Sequence, residues 1–348
     1  MTHALQLGAR RISSQDPTYI IAEIGVNHNG SPALAHEMID AAAKAGADAV
    51  KFQTFRTDEL ILAGTSKASY QQETTGDGSQ EEMLRALELS LDIFADLKQH
   101  CVDVGVDFMS TAFDHISLND VRDLDPVCLK WPSGELNNTP LLRQAATMGL
   151  PILLSTGMGS ITEISAAIDT LTVGGCDDIV ILQCVSNYPA HIEDQNLRAM
   201  QNMAAVFGRP VGFSDHTIGP FAAIAARALG MSVLEKHFTL DRSMAGPDHA
   251  SSIEPGDFEQ MVQVLRQIEA GLGDGVKRPL QQEENIRNVA RNSLVYAHDL
   301  PAGHMLTGDD LISKRPGGFI PPNQVDSLIG LTLKQDVRKD QITVRTDV

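Results

Sequence analysis

The chain has 348 residues, 43% of them hydrophobic and 21% charged, and a formal net charge of −18 at pH 7. That balance describes a globular protein too long for one ordinary domain, and its acidity argues against nucleic acid or an anionic membrane as partner. A small anion is not excluded, because the Debye length is only about 8 Å at physiological salt and a local cluster of Lys and Arg can outweigh a distant acidic surface. The four cysteines, Cys101, Cys128, Cys176 and Cys184, are scattered with no CxxC pair, as expected of reduced thiols in a cytoplasm; they and Trp131 read as packing. Residues 1–17 hold no apolar h-region and no uncharged run approaches the ~20 residues of a membrane span, so a soluble cytoplasmic protein is expected.

From Tyr19 to about Gly273 strand and helix patterns alternate. Tyr19–Ile24 is a buried strand by its apolar run. A helix follows, with Ser31 as N-cap, Pro32 at its first position, an apolar stripe at Leu34, Met38 and Ala42, and Gly46 as stop. Further strands are expected at 47–52, 106–109, 127–131, 151–154, 178–182, 210–213 and 232–235. Helical patterns separate them, such as 91–104, 161–171 and 221–229. Eight strand–helix units in about 250 residues are the count and size of a closed (β/α)8 TIM barrel. A doubly wound open sheet is disfavoured because no Gly-x-Gly-x-x-Gly follows the first strand.

On such a barrel, catalysis is built where the strands end. There the sequence places Glu23, then Lys51 and Gln53, Ser110 and Thr111, and Lys130 with Ser133 and Glu135. Ser155 follows, then Ser186 and Tyr188, Ser214 with Asp215 and His216, and finally Glu235 and His237. Charges inside apolar strands are costly to bury without partners, so a set at matching strand ends points to one polar pocket. His216, in Phe213-Ser-Asp-His-Thr217, and His237, in Glu235-Lys-His-Phe-Thr239, each close a short apolar run. On adjacent parallel strands the two imidazoles emerge at one edge and can share a divalent metal; the competing reading makes each a hydrogen-bonded core or loop histidine. Lys51 and Lys130 either pair with structural carboxylates or, with the hydroxyl and amide groups that follow them, line a site for phosphate oxygens. Gly157-Met-Gly-Ser160 is either a tight turn or a helix N-terminus offering free N–H groups to an anion. Asp248 and His249, in Gly246-Pro-Asp-His-Ala250, are turn residues or, just beyond the last strand, contacts to a substrate.

After Gly273 the composition changes. Residues 274–290 read as a polar linker, and 291–348 as a small irregular β-domain with dense Gly and Pro turns. A segment of that size buries little core alone and is expected to dock on something. Arg315, beside a Pro-Gly-Gly turn, is either a plain surface arginine or a distal site residue.

The strings Ile21-Ala-Glu-Ile-Gly-Val-Asn-His-Asn-Gly30, Val50-Lys-Phe-Gln-Thr54, Phe108-Met-Ser-Thr-Ala-Phe113 and Lys130-Trp-Pro-Ser-Gly-Glu135 resemble the sialic acid synthase family. So do Leu154-Ser-Thr-Gly-Met158, Ser186-Asn-Tyr-Pro189, the two histidine motifs and Gly246-Pro-Asp-His249, while Lys314-Arg-Pro-Gly317 resembles that family's antifreeze-like (SAF) domain. The similarity runs through nearly the whole chain, in family order. It implies condensation of phosphoenolpyruvate with an open-chain N-acylated amino sugar, classically N-acetylmannosamine, with loss of phosphate. It also implies a divalent metal on His216 and His237, manganese first and magnesium or cobalt next. Lys51, Thr111, Lys130, Ser133, Ser155, Ser186 and Ser214 would hold phosphoenolpyruvate; Gln53, Glu135, Tyr188 and Asp248 would line the sugar. Glu23 and Glu235 would transfer protons or orient water. A domain-swapped homodimer would bring Arg315 to the N-acyl group in the other subunit. One departure is Ser186, where some relatives carry Asn. Two alternatives stand beside the sialic acid reading: a legionaminic acid synthase acting on a diacetamido sugar, and a non-catalytic sugar- or ice-binding protein suggested by the tail alone.

Overall fold

Apolar runs that end in polar residues form eight parallel strands in the computed structural model, which describes residues 4–62, 64–67 and 69–348. They are β1 (Tyr19–Gly25), β2 (Ala49–Thr54), β3 (Asp107–Ala112), β4 (Leu129–Trp131), β5 (Ile152–Ser155), β6 (Ile179–Cys184), β7 (Val211–Asp215) and β8 (Val233–His237). Each pairs with the next and β8 pairs with β1, so the sheet closes into the expected (β/α)8 barrel and not an open doubly wound sheet. Both strand faces are buried, which is why these strands read as continuous apolar runs. Tyr19, Ile21, Ala49, Met109, Leu153, Val180 and Val233 fill the barrel. Their neighbours Ile20, Ala22, Val50, Phe52 and Leu234 pack outward against the helices, as a period of two requires.

A short antiparallel hairpin, Leu5–Leu7 with Arg10–Ile12, adds Leu5, Leu7 and Ile12 to the inner cluster. It was not expected, because three-residue strands carry too little alternation to read. The helix Pro32–Lys44 starts as its cap chemistry dictates, with Ser31 Oγ accepting from the Leu34 N–H at 3.3 Å. Its buried residues are Ala35, Met38, Ile39 and Ala42, so Leu34 stands at the edge of the stripe. Between β2 and the helix Leu91–Val104 lie three short helices that the sequence reading did not anticipate: Thr57–Leu60, Ser69–Thr75 and Gln80–Leu87. Among the described residues, no helix is long and apolar enough to cross a membrane.

The chain divides after Gly273 into a second compact unit. The stretch expected to be a plain linker is partly helical, with a 3-10 turn at Gln281–Glu283 and a helix at Glu284–Ala290, all exposed. Beyond it, β9 (Ser293–Tyr296) and β10 (Leu311–Lys314) pair antiparallel, and isolated bridges such as Leu300 to Val337 tie the turns together. Its small core is Leu294, Tyr296, Leu306, Leu328, Leu333 and Val337.

Candidate active site

Strand register assembles the site. Glu23 on β1 lies beside Lys51 on β2 and beside His237 on β8. Gln53 lies beside Thr111, Thr111 beside Lys130, and Ser214 beside Glu235. Because alternate residues share a face, these side chains converge on one cleft of about 290 Å³ at the C-terminal ends of the strands.

Two buried lysines and two buried carboxylates form its floor. Lys51 Nζ lies 2.6 Å from Glu23 Oε2, donates to Thr111 Oγ1 at 2.8 Å and stands 4.0 Å from Glu235 Oε2. Lys130 Nζ reaches Glu235 Oε1 at 3.1 Å, and Ser214 Oγ donates to that oxygen at 3.2 Å. Gln53 Nε2 donates to Glu23 Oε1 at 3.0 Å. The carboxyls are held in different states. Burial pushes Glu23 up to about 7, with Lys51 opposing and Glu235 reinforcing the rise. Burial also resists ionisation of Glu235, but Lys130 and Lys51 outweigh it and hold this carboxyl below its usual range. A pair of carboxyls driven apart in this way separates a proton carrier from a permanent anion.

The two histidines adjoin, their ring centroids 5.3 Å apart, and the tilted Tyr188 ring lies 4.2 Å from that of His216. His216 Nδ1 lies 2.7 Å from the Val185 carbonyl oxygen. A carbonyl can only accept, so Nδ1 carries the proton and the lone pair of a neutral ring sits on Nε2. His237 Nδ1 is buried without a hydrogen-bond partner, 3.8 Å from Asp248 Oδ2. Burial and then His216 hold the His237 imidazole well below its usual range, hence neutral. Burial resists protonation of His216, but Cys184 and the Val185 carbonyl outweigh it and raise the His216 pKa above its usual range, so a divalent transition ion would have to displace a proton from this ring. The neutral His237 beside it, with its orphaned nitrogen, fits such an ion. Among the described residues, no three His, Cys, Asp or Glu side chains gather as a ready ligand set, so further positions would fall to water or substrate.

Ser133, Ser155, Ser186, Tyr188 and Asp248 also line the cleft. Ser133 Oγ accepts from the Gly157 N–H at 2.9 Å. A Cβ at Gly157 would collide with the Ser186 and Ser133 hydroxyls, so only glycine lets that turn close on them. Burial raises Asp248 to about 6. Not every expected residue lines the cleft. Glu135 is not among the cleft-lining side chains: its carboxylate accepts from Asn138 Nδ2 at 2.6 Å in the turn after β4. Arg315 belongs to the second unit, exposed just after β10. Ser110 bonds Thr54 at 2.7 Å and does not line the cleft.

Some participants were missed. Cys184, read as packing, lines the cleft with its Sγ 3.9 Å from His216 Nδ1. His249, expected as a turn residue or a substrate contact, is fully buried and bonded to Thr239 Oγ1 at 2.7 Å, so it fixes the loop that carries Asp248. Lys236 pairs with Asp215 at 2.8 Å behind the histidines; its charge inside a buried strand was the available signal. Met83, Leu84 and Leu87 reach the cleft from a helix with no strand-end signature.

Comparison with known proteins adds to this geometry. The NeuB family matches residues 38–277 and the SAF domain residues 291–343. The N,N'-diacetyllegionaminic acid synthase of Legionella pneumophila is 43% identical over 335 residues, covering 95% of this chain and 94% of that protein. The protein of the same name from Campylobacter jejuni is 40% identical over 328 residues, covering 93% and 98%. Among solved structures, the N-acetylneuraminic acid (sialic acid) synthetase of Leptospira borgpetersenii, in complex with citrate, matches with a TM-score of 0.73 at 32% identity, over 82% of this chain and 95% of that one.

Proposed function

The chain belongs to the NeuB family of phosphoenolpyruvate-using synthases, and on that premise we propose that it condenses phosphoenolpyruvate with the open-chain form of 2,4-diacetamido-2,4,6-trideoxymannose to make a legionaminic acid. The observation that carries the reading is the pairing of Lys51 with Glu23 and Lys130 with Glu235 in one cleft. The two ammonium groups anchor the phosphate and carboxylate of phosphoenolpyruvate, with Thr111, Ser133, Ser155, Ser186 and Ser214 supplying hydroxyl partners. Charge-assisted hydrogen bonds contribute roughly 1.5–3 kcal/mol each, enough to hold a small anion on an acidic protein.

In the reaction, C3 of phosphoenolpyruvate bonds to the aldehyde carbon and the aldehyde oxygen takes up a proton. Water then adds at C2, its surplus proton leaves, and the C2–O bond breaks to release inorganic phosphate. Glu23, with a pKa near 7, is suited to deliver the proton to the aldehyde oxygen. Glu235, kept ionised between the lysines, is suited to take one from the attacking water. Gln53, Tyr188 and Asp248 would contact the sugar, and in a domain-swapped homodimer Arg315 would reach the N-acyl group across subunits. His216 and His237 would hold a divalent ion, manganese before magnesium or cobalt given two imidazole donors, which when bound supplies Lewis-acid polarisation of the aldehyde.

Two relatives that carry the legionaminic name favour the diacetamido sugar; the Leptospira synthetase supports a second reading in which N-acetylmannosamine is the substrate. A purely sugar- or ice-binding role does not account for the intact set of lysines and glutamates. The test is phosphate release from phosphoenolpyruvate with each sugar, with manganese and with EDTA, and mass spectrometry of the product. Release with the diacetamido sugar at the higher kcat/KM is expected; the reverse order selects the second reading, and no release with any sugar overturns both.

A further inference from the structure

One wall of the cleft is largely apolar. Against the charged strand ends, the helix Gln80–Leu87 presents Met83, Leu84 and Leu87 to the same space, joined by Val26 after β1 and Phe113 after β3. These five pack as one cluster with Phe55 and Leu60, and the Phe55 and Phe113 rings meet edge-on at 6.4 Å.

The position of this wall is set by directional bonds. Ser79 and Glu82 form a reciprocal capping box at the helix start, with bonds of 2.9 and 3.1 Å. At its other end Glu88 accepts from the N–H and hydroxyl of Thr57 at 3.1 and 2.9 Å. Between them the Ala86 carbonyl presses on Gly30 so closely that any Cβ there would collide with it. Gly30 also has φ +72°, which favours glycine independently.

We infer that Met83 and Leu84, backed by Leu87, Val26 and Phe113, are specificity determinants that select a sugar deoxygenated and acyl-substituted at the end remote from its aldehyde. The inference rests on the synthase reading, which places the aldehyde over Lys51, Lys130 and Glu235. The remaining sugar carbons then run outward past the strand ends, where the wall stands. A hydroxyl set against Met83 and Leu84 gives up water for alkyl and thioether surface. A C–CH3 or acyl methyl group meets matching surface. Gain or loss of one such group against an apolar pocket changes kcat/KM by about 10–200-fold.

The wall is also thin. A second cavity of about 390 Å³ lies behind it and shares Met83, Leu87 and Pro247 with the cleft. Polar replacements at Met83 therefore have space to adopt new rotamers without unfolding the helix.

The experiment compares kcat/KM for 2,4-diacetamido-2,4,6-trideoxymannose and for N-acetylmannosamine at saturating phosphoenolpyruvate and manganese. The proteins are the full-length wild type, Met83→Gln, Leu84→Gln and Met83→Leu. The wild type should favour the deoxy sugar by at least about tenfold. Each Gln variant should lower that ratio by about tenfold, chiefly through KM for the deoxy sugar, and Met83→Leu should restore it by keeping the wall apolar. A wild type that favours N-acetylmannosamine overturns the inference, as does a ratio unchanged in both Gln variants. Phosphate release with an unaltered ratio refutes the wall alone, whereas no release with either sugar from the wild type refutes the synthase reading beneath it.

Discussion

Lys236→Met is the sharpest test of how the site is supported. Glu235 and His237 face the cleft, and Lys236 between them points into the layer between barrel and helices, only 1% exposed. Its Nζ meets Asp215 Oδ2 at 2.8 Å and the Thr217 carbonyl at 2.7 Å. The other oxygen of Asp215 accepts from the Thr217 N–H at 2.8 Å and the Thr217 hydroxyl at 2.7 Å. One ammonium group thus fixes both residues that flank His216. Methionine fills much of the lysine volume but leaves a buried carboxylate oxygen and a buried carbonyl bare. Removing one partner of a buried pair destabilises by about 3–5 kcal/mol, whereas replacing both partners is often near neutral. The double variant Lys236→Met with Asp215→Asn keeps an amide oxygen for the Thr217 N–H and removes the bare charge, so about 1–2 kcal/mol of loss should remain. The assay is urea unfolding followed by circular dichroism and by the fluorescence of Trp131, the single tryptophan and 1% exposed, with the slope checked for constancy. A single variant that loses under about 1 kcal/mol, or a double variant no more stable than the single, would refute the reasoning.

His237→Ala should abolish phosphate release without lowering the unfolding midpoint by more than that of a small core change, and wild-type activity removed by EDTA should return with manganese; undiminished turnover in the variant removes the metal assignment. Glu23 has a folded pKa of about 7 against 4.5, so the native state binds this proton more tightly. Its stabilisation is complete below pH 4.5 and is lost as pH rises to about 7, roughly 3 kcal/mol in all. Glu23→Gln lacks that slope, and the metal-free variant should gain about 2–3 kcal/mol on the wild type between pH 5 and pH 8 in urea unfolding; a constant difference would count against the shifted carboxyl. Arg315→Ala should raise the sugar KM several-fold and leave that for phosphoenolpyruvate in place, and an unaltered sugar KM would count against a cross-subunit contact.

The barrel was legible because its signal is redundant. Each strand is an apolar run buried on both faces, and each ends in residues, such as Lys51 or Glu235, that an ordinary core would not hold. Ends were less legible than existence. β2, β3 and β8 run on through Thr54, Ala112 and His237, because ladder hydrogen bonds are made by backbone and continue where the side chains turn polar. The site's charged floor could be read for the same reason, since a buried charge needs a partner and successive strands supply one. The apolar wall could not. Met83, Leu84 and Leu87 look like any amphipathic helix, and only the packing of that helix against Val26, Phe55 and Phe113 brings them to the cleft. Glu135 was misjudged in the opposite sense: it follows a strand end, but Asn138, three residues on, takes its carboxylate.

The charge of the floor explains how a protein of net charge −18 can take an anionic substrate. As two complete ion pairs, Lys51 with Glu23 and Lys130 with Glu235, the floor would be neutral and would offer an anion little. Burial breaks that balance at one member. Glu23 holds its proton up to about pH 7, while Glu235, 3.1 Å from Lys130 and 4.0 Å from Lys51, stays ionised. With Glu23 protonated, Lys51 is uncompensated and the floor carries more ammonium than carboxylate charge. An arriving anion disfavours ionisation of Glu23 further, since a like charge nearby raises a carboxyl pKa, so substrate binding and protonation reinforce each other. In the proposed reaction the proton secured in this way is the one the aldehyde oxygen consumes as the carbon–carbon bond forms. A single buried carboxyl thereby couples affinity for the anion to readiness for the chemical step.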